Sequence, residues 1–325
     1  MELPAALRAA VDAALAGTPV SELRRAADTL SRRYRAELRD GRLHLSEHLA
    51  VLAYLAARLP ATYAAVRTSL ACIDDLVPSF APRTLIDVGA GPGTALWAST
   101  DCWPSLDSAT LVEASAPVRA EGQRLAAALP VASRWLAGDA EGQLPELPPA
   151  DLVTVCYVLD ELSPAAIAPL TRRLWQTTAG VLLVVEPGTP AGWRRILAVR
   201  DALIAAGARI VAPCPHAAPC PLDAPDWCHF SRRVARSRVH RLTKDAEVPW
   251  EDEKYVFLAA SRLPAEAIDA RVLAPPRGGG GRVALKLCRA DGVMAVAEFS
   301  KRDGDAYKKA RRLDWGAALR SNVDD

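Results

Sequence analysis

The amino-acid sequence predicts an α/β fold built on a doubly wound sheet, and three observations support this prediction. Short apolar segments alternate with helical segments from residue 84 onward. The strand-like segments are apolar at nearly every position, which is typical of parallel strands buried on both faces. A glycine-rich turn at residues 89–93 follows the first strand directly, as in folds that bind a nucleotide at the carboxyl edge of the sheet.

Composition sets few limits on the partners of this chain. Its 325 residues include 40 Lys and Arg against 38 Asp and Glu, so charge matters only where it clusters. Half of the residues are hydrophobic, which is enough for a sizeable core. No apolar run reaches about 18 residues, so we expect no membrane span. The first residues do not resemble a secretion or transit signal, and we expect a cytoplasmic protein with reduced cysteines.

Residues 1–80 are predicted to be helical. They are rich in Ala, Leu and Arg and poor in β-branched residues. One helix is expected to start at Val20, with Ser21 as its N-cap. A second helix starts near Ser46 and is broken by Pro60, and a third spans residues 62–76.

The remaining chain divides into a core, an insertion and an appendage. Core strands are expected at residues 84–88, 110–113, 134–139, 151–156, 180–186 and 256–259. The core covers residues 81–264, and a Cys- and Pro-rich insertion at 211–230 interrupts it. Residues 265–325 form a small, basic, β-rich appendage, with strands expected at 282–287 and 292–299.

The turn after the first strand indicates the ligand. Residues 87–93 spell Asp-Val-Gly-Ala-Gly-Pro-Gly, and glycines let the backbone turn tightly and approach a ligand closely. A dinucleotide-binding loop has the spacing G-x-G-x-x-G. Gly89 and Gly91 fit that spacing, but Thr94 stands at the third position and the extra glycine is Gly93. Because Asp87 also precedes the glycines within the strand, we favour S-adenosylmethionine over NAD or a structural turn.

Two further acidic residues end predicted strands. Glu113 is placed to accept hydrogen bonds from ribose hydroxyls, and Asp139 is placed to face the adenine amine. Parallel strands end at one edge of a sheet, so we expect both carboxylates near Asp87. Either one alone could instead cap the helix that follows it. Taken together, the loop and the acids predict a Rossmann-like class I methyltransferase core.

A cysteine cluster predicts a metal site. Three of the seven cysteines fall within fifteen positions and a fourth lies in a later predicted strand: Cys214, Cys220, Cys228 and Cys288. A 4Fe–4S cluster or zinc could fill such a site. The absence of a close C-x2-C pair favours the cluster slightly over zinc. His216 or His229 could replace one thiolate, and unrelated cysteines in a loop remain the simplest alternative.

Two basic segments point to RNA rather than DNA. The first holds Arg232, Arg233, Arg236, Arg238, Arg241 and Lys244. The second holds Lys301, Arg302, Lys308, Lys309, Arg311 and Arg312, with Tyr307 available to stack on an unpaired base. Arg and Lys groups of this kind bind phosphate backbones, although a solvated helix face has the same composition.

No catalytic constellation is evident, and we leave the catalytic residues unassigned. The Asn/Asp-Pro-Pro-aromatic turn of amine methyltransferases is absent after the fourth strand, where residues 156–162 read Cys-Tyr-Val-Leu-Asp-Glu-Leu. Cys156 would need an activating neighbour to act as a nucleophile. Asp160 or Glu161 has the chemistry of a general base, but a helix cap is the simpler role.

These segments together resemble the methyltransferase-like family of mitochondrial small-ribosomal-subunit assembly factors and their bacterial relatives. The resemblance runs from about Leu30 to Trp315. It rests on residues 53–66, which read Ala-Tyr-Leu-Ala-Ala-Arg-Leu-Pro-Ala-Thr-Tyr-Ala-Ala-Val, and on the loop at 87–93. It rests also on the Cys-Pro-His, Cys-Pro and Cys-His-Phe motifs at 214–216, 220–221 and 228–230, and on Cys288.

The resemblance implies both a cofactor and a partner. It assigns Cys214, Cys220, Cys228 and Cys288 to a 4Fe–4S cluster, with zinc as the alternative. It implies a role on the small ribosomal subunit and its rRNA, in assembly or translation. The chain would then be either an active S-adenosylmethionine-dependent methyltransferase or a non-catalytic assembly factor. The competing function is a non-ribosomal methyltransferase that acts on a small molecule and has a structural zinc site.

Overall fold

A mixed sheet of eight strands organises the computed structural model, which describes residues 1–35, 45, 47–142 and 144–320. Its strands are β1 Thr84–Val88, β2 Ser108–Glu113, β3 Ala132–Ala137, β4 Ala150–Cys156, β5 Thr178–Pro187, β6 Arg209–Ala212, β7 Phe230–Ala235 and β8 Trp250–Ser261. Their order is β3-β2-β1-β4-β5-β8-β6, and β7 also pairs with β8. Strands β1 to β5 are parallel, whereas β8 is antiparallel to β5, β6 and β7. The predicted Rossmann-like α/β fold is confirmed.

Helices cover both faces of this sheet. The helices that precede the second sheet are α1 Ala5–Leu15, α2 Val20–Arg35, α3 His48–Ala57, α4 Leu59–Leu76, α5 Thr94–Cys102, α6 Ala116–Ala126, α7 Pro164–Thr177, α8 Pro190–Ala205 and α9 Arg238–Lys244. A further helix, α10 Asp305–Ala310, packs on the second sheet described below. Side chains alternate between the faces of a strand. Val181, Leu183 and Val185 of β5 therefore share a core with α1 to α5, whereas Leu182 and Val184 pack with α7 and α8. This double burial explains the continuous apolar strands.

The predicted core strands lie at the expected residues, but the direction of one of them differs from the prediction. All six predicted core strands are present, and the segment at 256–259 lies in the longer β8. The sheet is mixed rather than parallel because β8 runs opposite to β5. Two strands of this first sheet were not predicted. β6 is only four residues long, and β7 carries the polar residues Ser231, Arg232 and Arg233 beside two buried apolar ones, Phe230 and Val234.

The N-terminal helices begin and end at residues that differ from the predicted ones. Helix α2 begins at Val20, so Ser21 lies in its first turn and is not the N-cap. The break between α3 and α4 falls at Arg58 rather than Pro60. Pro60 lies in the first turn of α4, where a missing N–H breaks no helical hydrogen bond. Ser46 lies outside the described residues.

A second sheet follows the first along the chain. It contains β9 Ala270–Val272, β10 Arg277–Gly279, β11 Arg282–Arg289, β12 Met294–Ser300 and β13 Ala318–Leu319, all antiparallel. Val283, Leu285 and Leu287 of β11 form its apolar core. Arg271 connects it to the first sheet, because its Nε donates to the Pro213 carbonyl oxygen at 3.0 Å. The division of the chain at residues 80 and 264 stays a prediction.

Among the described residues, no single helix is both long enough and apolar enough to cross a membrane. One bent pair, His48–Ala57 with Leu59–Leu76, meets the length and composition criteria together.

Candidate functional site

The glycine loop lies where β1 meets α5. Gly89 has φ +68° and Gly91 has φ +54°, a region that side chains with a Cβ rarely adopt. A Cβ on Gly89 would lie 2.3 Å from Cγ2 of Val158. A Cβ on Gly91 would meet only open space. Gly89 is thus required by close packing, whereas Gly91 faces the cavity that opens over this edge. Gly93 is the N-cap of α5, also at positive φ.

Asp87 supplies a buried carboxylate beside this loop. The residue is only 1% exposed. Its Oδ1 accepts a hydrogen bond from the Thr154 hydroxyl at 2.7 Å, and its Oδ2 has no partner among the described residues. Burial raises the pKa of Asp87 to about 7. A carboxylate kept dry with one free oxygen suits the binding of a cationic or hydrogen-donating ligand.

Glu113 and Asp139 have different surroundings. Glu113 accepts the Gly91 amide through Oε2 at 3.0 Å and the Ser115 amide through Oε1 at 2.8 Å. It therefore holds the glycine loop, and each oxygen keeps a second lone pair. Asp139 lies exposed just after β3 and accepts the Glu141 amide at 2.9 Å. Neither carboxylate caps a helix in the described chain, because Ser115 is the N-cap of α6 and Ser163 that of α7.

All three carboxylates line one cavity of about 1010 Å³. This volume is at the upper end for small-molecule sites, so it can hold a cofactor and part of a second ligand. The glycine loop and the strand ends form its floor. Helix α2 contributes Asp28, Ser31 and Tyr34 to the opposite wall. The N-terminal helices therefore enclose the site from above the carboxyl edge of the sheet.

A second polar group contributes Tyr157 and Arg58 to the lining of the same cavity. Tyr157 follows β4 at φ +59°, a strained value for a residue with a side chain. Its hydroxyl donates to Oε1 of Glu253 at 3.0 Å. Arg58 donates to the same carboxylate at 3.2 and 3.4 Å. Strained residues concentrate at binding sites, and Tyr157 and Arg58 both line this cavity.

Sequence reasoning missed this second group. Its members come from three distant points in the chain, Arg58 before α4, Tyr157 after β4 and Glu253 within β8. The available signal was a lone Arg inside the apolar run at residues 53–66. Pro60 alone accounts for a helix break in this segment, so the local pattern does not mark the Arg58 charge as part of a site.

The residues considered for catalysis remain without an assigned role. Burial raises the pKa of the Cys156 thiol, and the nearby Asp87 and Glu186 raise it further. A thiol in these surroundings stays protonated and is a poor nucleophile. Glu161 lines the cavity, where burial and then Asp160 raise its pKa to about 8. Helix α7 begins only at Pro164, so neither acid caps it.

The four predicted metal ligands come together from two segments. Three line a small cavity from the stretch between β6 and β7, and Cys288 reaches it from β11. His216 lies at the same cavity, with its Nε2 3.3 Å from the Cys288 sulfur. His229 instead stacks on Trp227 at 5.0 Å. Within the described chain, no group of three or more Cys, His, Asp or Glu side chains could hold a metal ion as placed.

Two arginines are buried at this cysteine cavity. Arg200 and Arg271 are 2% and 3% exposed. Arg200 donates to the carbonyl oxygens of His216 and Ala218 at 2.9 and 2.6 Å. Arg200 Nε and Arg271 Nη2 have no hydrogen-bond partner among the described residues. The nearest carboxylate to Arg200 is that of the exposed Asp201, at 4.0 Å. The cavity thus holds buried positive charge with little compensation.

Comparison with known proteins identifies the family. The sequence pattern described as "Mitochondrial small ribosomal subunit Rsm22" matches residues 48–320. The chain belongs to the Rsm22 family. The match includes the glycine loop, the cysteine cavity and the second sheet, so the Rsm22 pattern spans both candidate sites.

One curated relative of this Rsm22-family chain is the human mitochondrial ribosome assembly protein METTL17. The two are 31% identical over 301 residues, which is 82% of this chain and 62% of the relative. The chain therefore spans less than two thirds of that protein's length.

Solved methyltransferase structures are weakly similar. An O-methyltransferase family protein from Burkholderia thailandensis is 14% identical, with a TM-score of 0.46 over 76% of this chain and 72% of that chain. Magnesium protoporphyrin IX methyltransferase from Synechocystis PCC 6803, solved with bound SAM, is 14% identical, with a TM-score of 0.42 over 71% and 90%. Similarity at this level says nothing about the substrate of the Rsm22-family chain.

The basic segments of this Rsm22-family chain are partly neutralised. Arg236 and Lys244 both contact the Glu251 carboxylate, at 3.0 and 2.7 Å. Arg233 pairs with Asp252 at 2.9 Å. In the second segment, Tyr307 is half-buried and packs against the core of the second sheet. Tyr307 is therefore less available to stack on a base than the sequence suggested.

The group around Glu253 yields a stability prediction. Replacing Arg58 by Met leaves the buried Glu253 carboxylate without its cationic partner, and we expect the free energy of unfolding in urea to fall by about 3–5 kcal/mol. Glu253→Gln removes the charge and should cost less. The double variant should then be more stable than Arg58→Met alone. If Arg58→Met and the double variant unfold at the same urea concentration, the ion pair does not hold this group together.

Proposed function

We propose that this Rsm22-family chain binds S-adenosylmethionine at the carboxyl edge of its sheet and acts on, or binds, small-subunit rRNA during ribosome assembly. The observation that carries the proposal is the buried Asp87 carboxylate, which keeps one oxygen free inside a cavity large enough for the cofactor and a second ligand. We propose the cytoplasm as its location and the small ribosomal subunit as its partner.

The residues present fit this cofactor. S-adenosylmethionine carries a cationic sulfonium and an ammonium group, and the free oxygen of Asp87 provides the negative charge and acceptor that such groups need. Gly91 leaves room for close approach of the ligand to the backbone. Glu113 keeps lone pairs available for ribose hydroxyls, and Asp139 lies at the rim, where an adenine amine would be reached. NAD fits less well, since its pyrophosphate would lie beside a buried carboxylate.

The bound cofactor supplies an electrophilic methyl group, and the residues of the chain position the acceptor beside it. Tyr157, whose hydroxyl donates to the Glu253 carboxylate that Arg58 also contacts, provides a neutral aromatic surface in the lining of the cavity. A planar acceptor group, such as an unstacked base, has the shape for that surface. The relative METTL17 is described as a ribosome assembly protein, and this supports rRNA over a small-molecule acceptor.

We further propose that the cysteine cavity holds a 4Fe–4S cluster. The number and chemistry of the donors fit, because four thiols line one cavity and a cluster takes four cysteine ligands. The described side chains, as placed, form no metal-binding group, so the thiols would have to turn towards the cluster. The charges fit as well, since a cluster with four thiolates is negative overall and the two buried guanidinium groups at the cavity have no close carboxylate among the described residues. Leaving such cations uncompensated costs several kcal/mol each. Zinc in the same cavity is the alternative.

Cofactor affinity should depend on pH through Asp87. With its pKa raised to about 7, the carboxyl is neutral below that pH, so affinity for S-adenosylmethionine measured by calorimetry should rise between about pH 6 and 8. Asp87→Asn should bind weakly, with no such rise. Ionisation of the buried carboxyl also destabilises the ligand-free fold as pH rises from about 4 to about 7, because over that range the folded form keeps its proton and the unfolded form does not. The Asn variant should therefore be about 1–4 kcal/mol more stable above pH 7. A variant with unchanged affinity contradicts the assignment.

Tritiated methyl transfer to purified small-subunit rRNA distinguishes the two versions of the function. We expect incorporation by the wild-type chain and loss in Asp87→Asn, while both chains co-sediment with small-subunit particles at low salt. Co-sedimentation without incorporation would identify a non-catalytic assembly factor. A chain that neither transfers methyl groups to the rRNA nor co-sediments would contradict the ribosomal function altogether.

The metal site is tested by anaerobic purification. A brown protein with a broad visible absorbance band, and with iron and acid-labile sulfide in equal amounts, is the expected result. Cys288→Ser should lose most of the iron because it removes the ligand from β11. Cys102→Ser, a half-buried cysteine of α5, is the matched control and should retain it. A colourless protein with one zinc per chain would establish the alternative.

A further inference from the structure

The connection between β4 and α7 supplies much of the wall of the cofactor cavity. Residues 156–158 and 160–163 all line this cavity. Leu159, which stands between them, is 2% exposed and belongs instead to the apolar core formed with α7 and α8. Leu159 therefore anchors the connection, and the position of its neighbours in the cavity wall depends on how firmly it is held.

Glu186, near the end of β5, holds this anchor. The residue is 0% exposed, and its Oε1 accepts a hydrogen bond from the Leu159 amide at 3.0 Å. Its Oε2 accepts a hydrogen bond from Nε of Arg195 in α8 at 2.9 Å. Arg195 lines the cavity, whereas Glu186 is not among the described residues that do so. Glu186 thus joins β5, α8 and the β4–α7 connection from behind the cavity wall.

The two residues before Leu159 reach both parts of the proposed site. Val158 packs on the glycine loop, since a Cβ on Gly89 would lie 2.3 Å from its Cγ2. The Tyr157 amide donates to the Val185 carbonyl oxygen of β5 at 2.7 Å. Displacement of the Leu159 amide would therefore loosen the support of the cofactor loop and move the ring of Tyr157.

Stability alone does not account for a carboxylate at this position. Burial, and then the nearby Asp160, raise the pKa of Glu186, so its negative charge is unfavourable there and depends on the contact with Arg195. Replacing a buried ion pair by apolar side chains of similar volume is often neutral or stabilising. The Leu159 amide, in contrast, loses its hydrogen-bond acceptor in such a replacement. The fixed position of that amide is what the carboxylate contributes.

We propose that Glu186 is a positioning residue of the S-adenosylmethionine site, which acts by fixing the Leu159 amide and with it Val158 and Tyr157. The inference rests on the proposed function, because it concerns the same cavity. Glu186 lies behind the cavity wall, so its effect is on the shape of that wall before the ligand binds. A wall that is fixed in advance loses less conformational entropy on binding.

A pair of double variants that differ by one hydrogen-bond acceptor tests the proposal. Both carry Arg195→Met, so that no guanidinium is left buried without a partner. Glu186→Gln keeps an oxygen for the Leu159 amide, whereas Glu186→Leu has none. We expect Glu186→Leu/Arg195→Met to bind S-adenosylmethionine about tenfold more weakly than Glu186→Gln/Arg195→Met in calorimetry, as loss of one hydrogen bond to a buried amide does. The Leu159 amide proton should also exchange faster with solvent in the former variant.

Two further variants control for stability. Thr171→Val removes a buried hydroxyl of α7, which donates to the Ile167 carbonyl oxygen away from the cavity lining, and should bind the cofactor as the wild type does. The single variant Glu186→Gln offers one oxygen to two donors, and the charged guanidinium of Arg195 takes it. It should therefore bind weakly, and adding Arg195→Met should restore the affinity. This second comparison decides the question if Glu186→Leu/Arg195→Met fails to fold.

The outcomes separate this inference from the proposed function. If the wild-type chain binds no S-adenosylmethionine, the proposed function fails, and the inference fails with it. If the wild type binds and the two double variants bind equally well, Glu186 only stabilises the fold, although the proposed function stands. If adding Arg195→Met to Glu186→Gln weakens binding further, Arg195 rather than the Leu159 amide is the group that matters, and the inference is overturned.

Discussion

A buried, half-satisfied carboxylate is the constraint on which the rest of the site depends. Asp87 stands on the second-to-last position of a central strand, and Thr154 on the adjacent strand binds only one of its oxygens. Burial opposes ionisation there, so the fold tolerates a destabilising charge at neutral pH. A protein that kept this residue only for stability would do better with Asn. The arrangement makes sense when a ligand compensates the charge.

The elements around Asp87 are organised to keep that oxygen accessible. Glu113 holds the Gly91 amide and so fixes the loop before any ligand arrives. Val158 packs where Gly89 lacks a side chain, which presses the start of the β4–α7 connection against the loop. The N-terminal helices then enclose the cavity. A site assembled in advance loses less conformational entropy when the ligand binds.

The sequence predicted the features that depend on local pattern. Continuous apolar strands, glycines after β1 and acids at strand ends were all visible as periodicity or spacing, and the doubly wound fold follows from them. The direction of β8 could not be predicted, because an antiparallel strand buried on both faces has the same composition as a parallel one. The contact of Arg58 with Glu253 joins residues nearly two hundred positions apart, and no local pattern encodes such a pairing. The clustering of Cys288 with three earlier cysteines was predicted from the need for a fourth thiolate, and the family resemblance named the same residue.

The cysteine cavity has a consequence for the order in which the chain matures. Three of its cysteines precede β7, whereas Cys288 belongs to β11, which is synthesised only after β8 is complete. During translation the first sheet can therefore form while three thiols remain open to solvent beside buried Arg200. The cavity closes only when the second sheet pairs and brings in Arg271 together with the last thiol. A nascent chain halted before residue 288 would contain all the residues of the cofactor cavity but only three of the four thiols of the cysteine cavity.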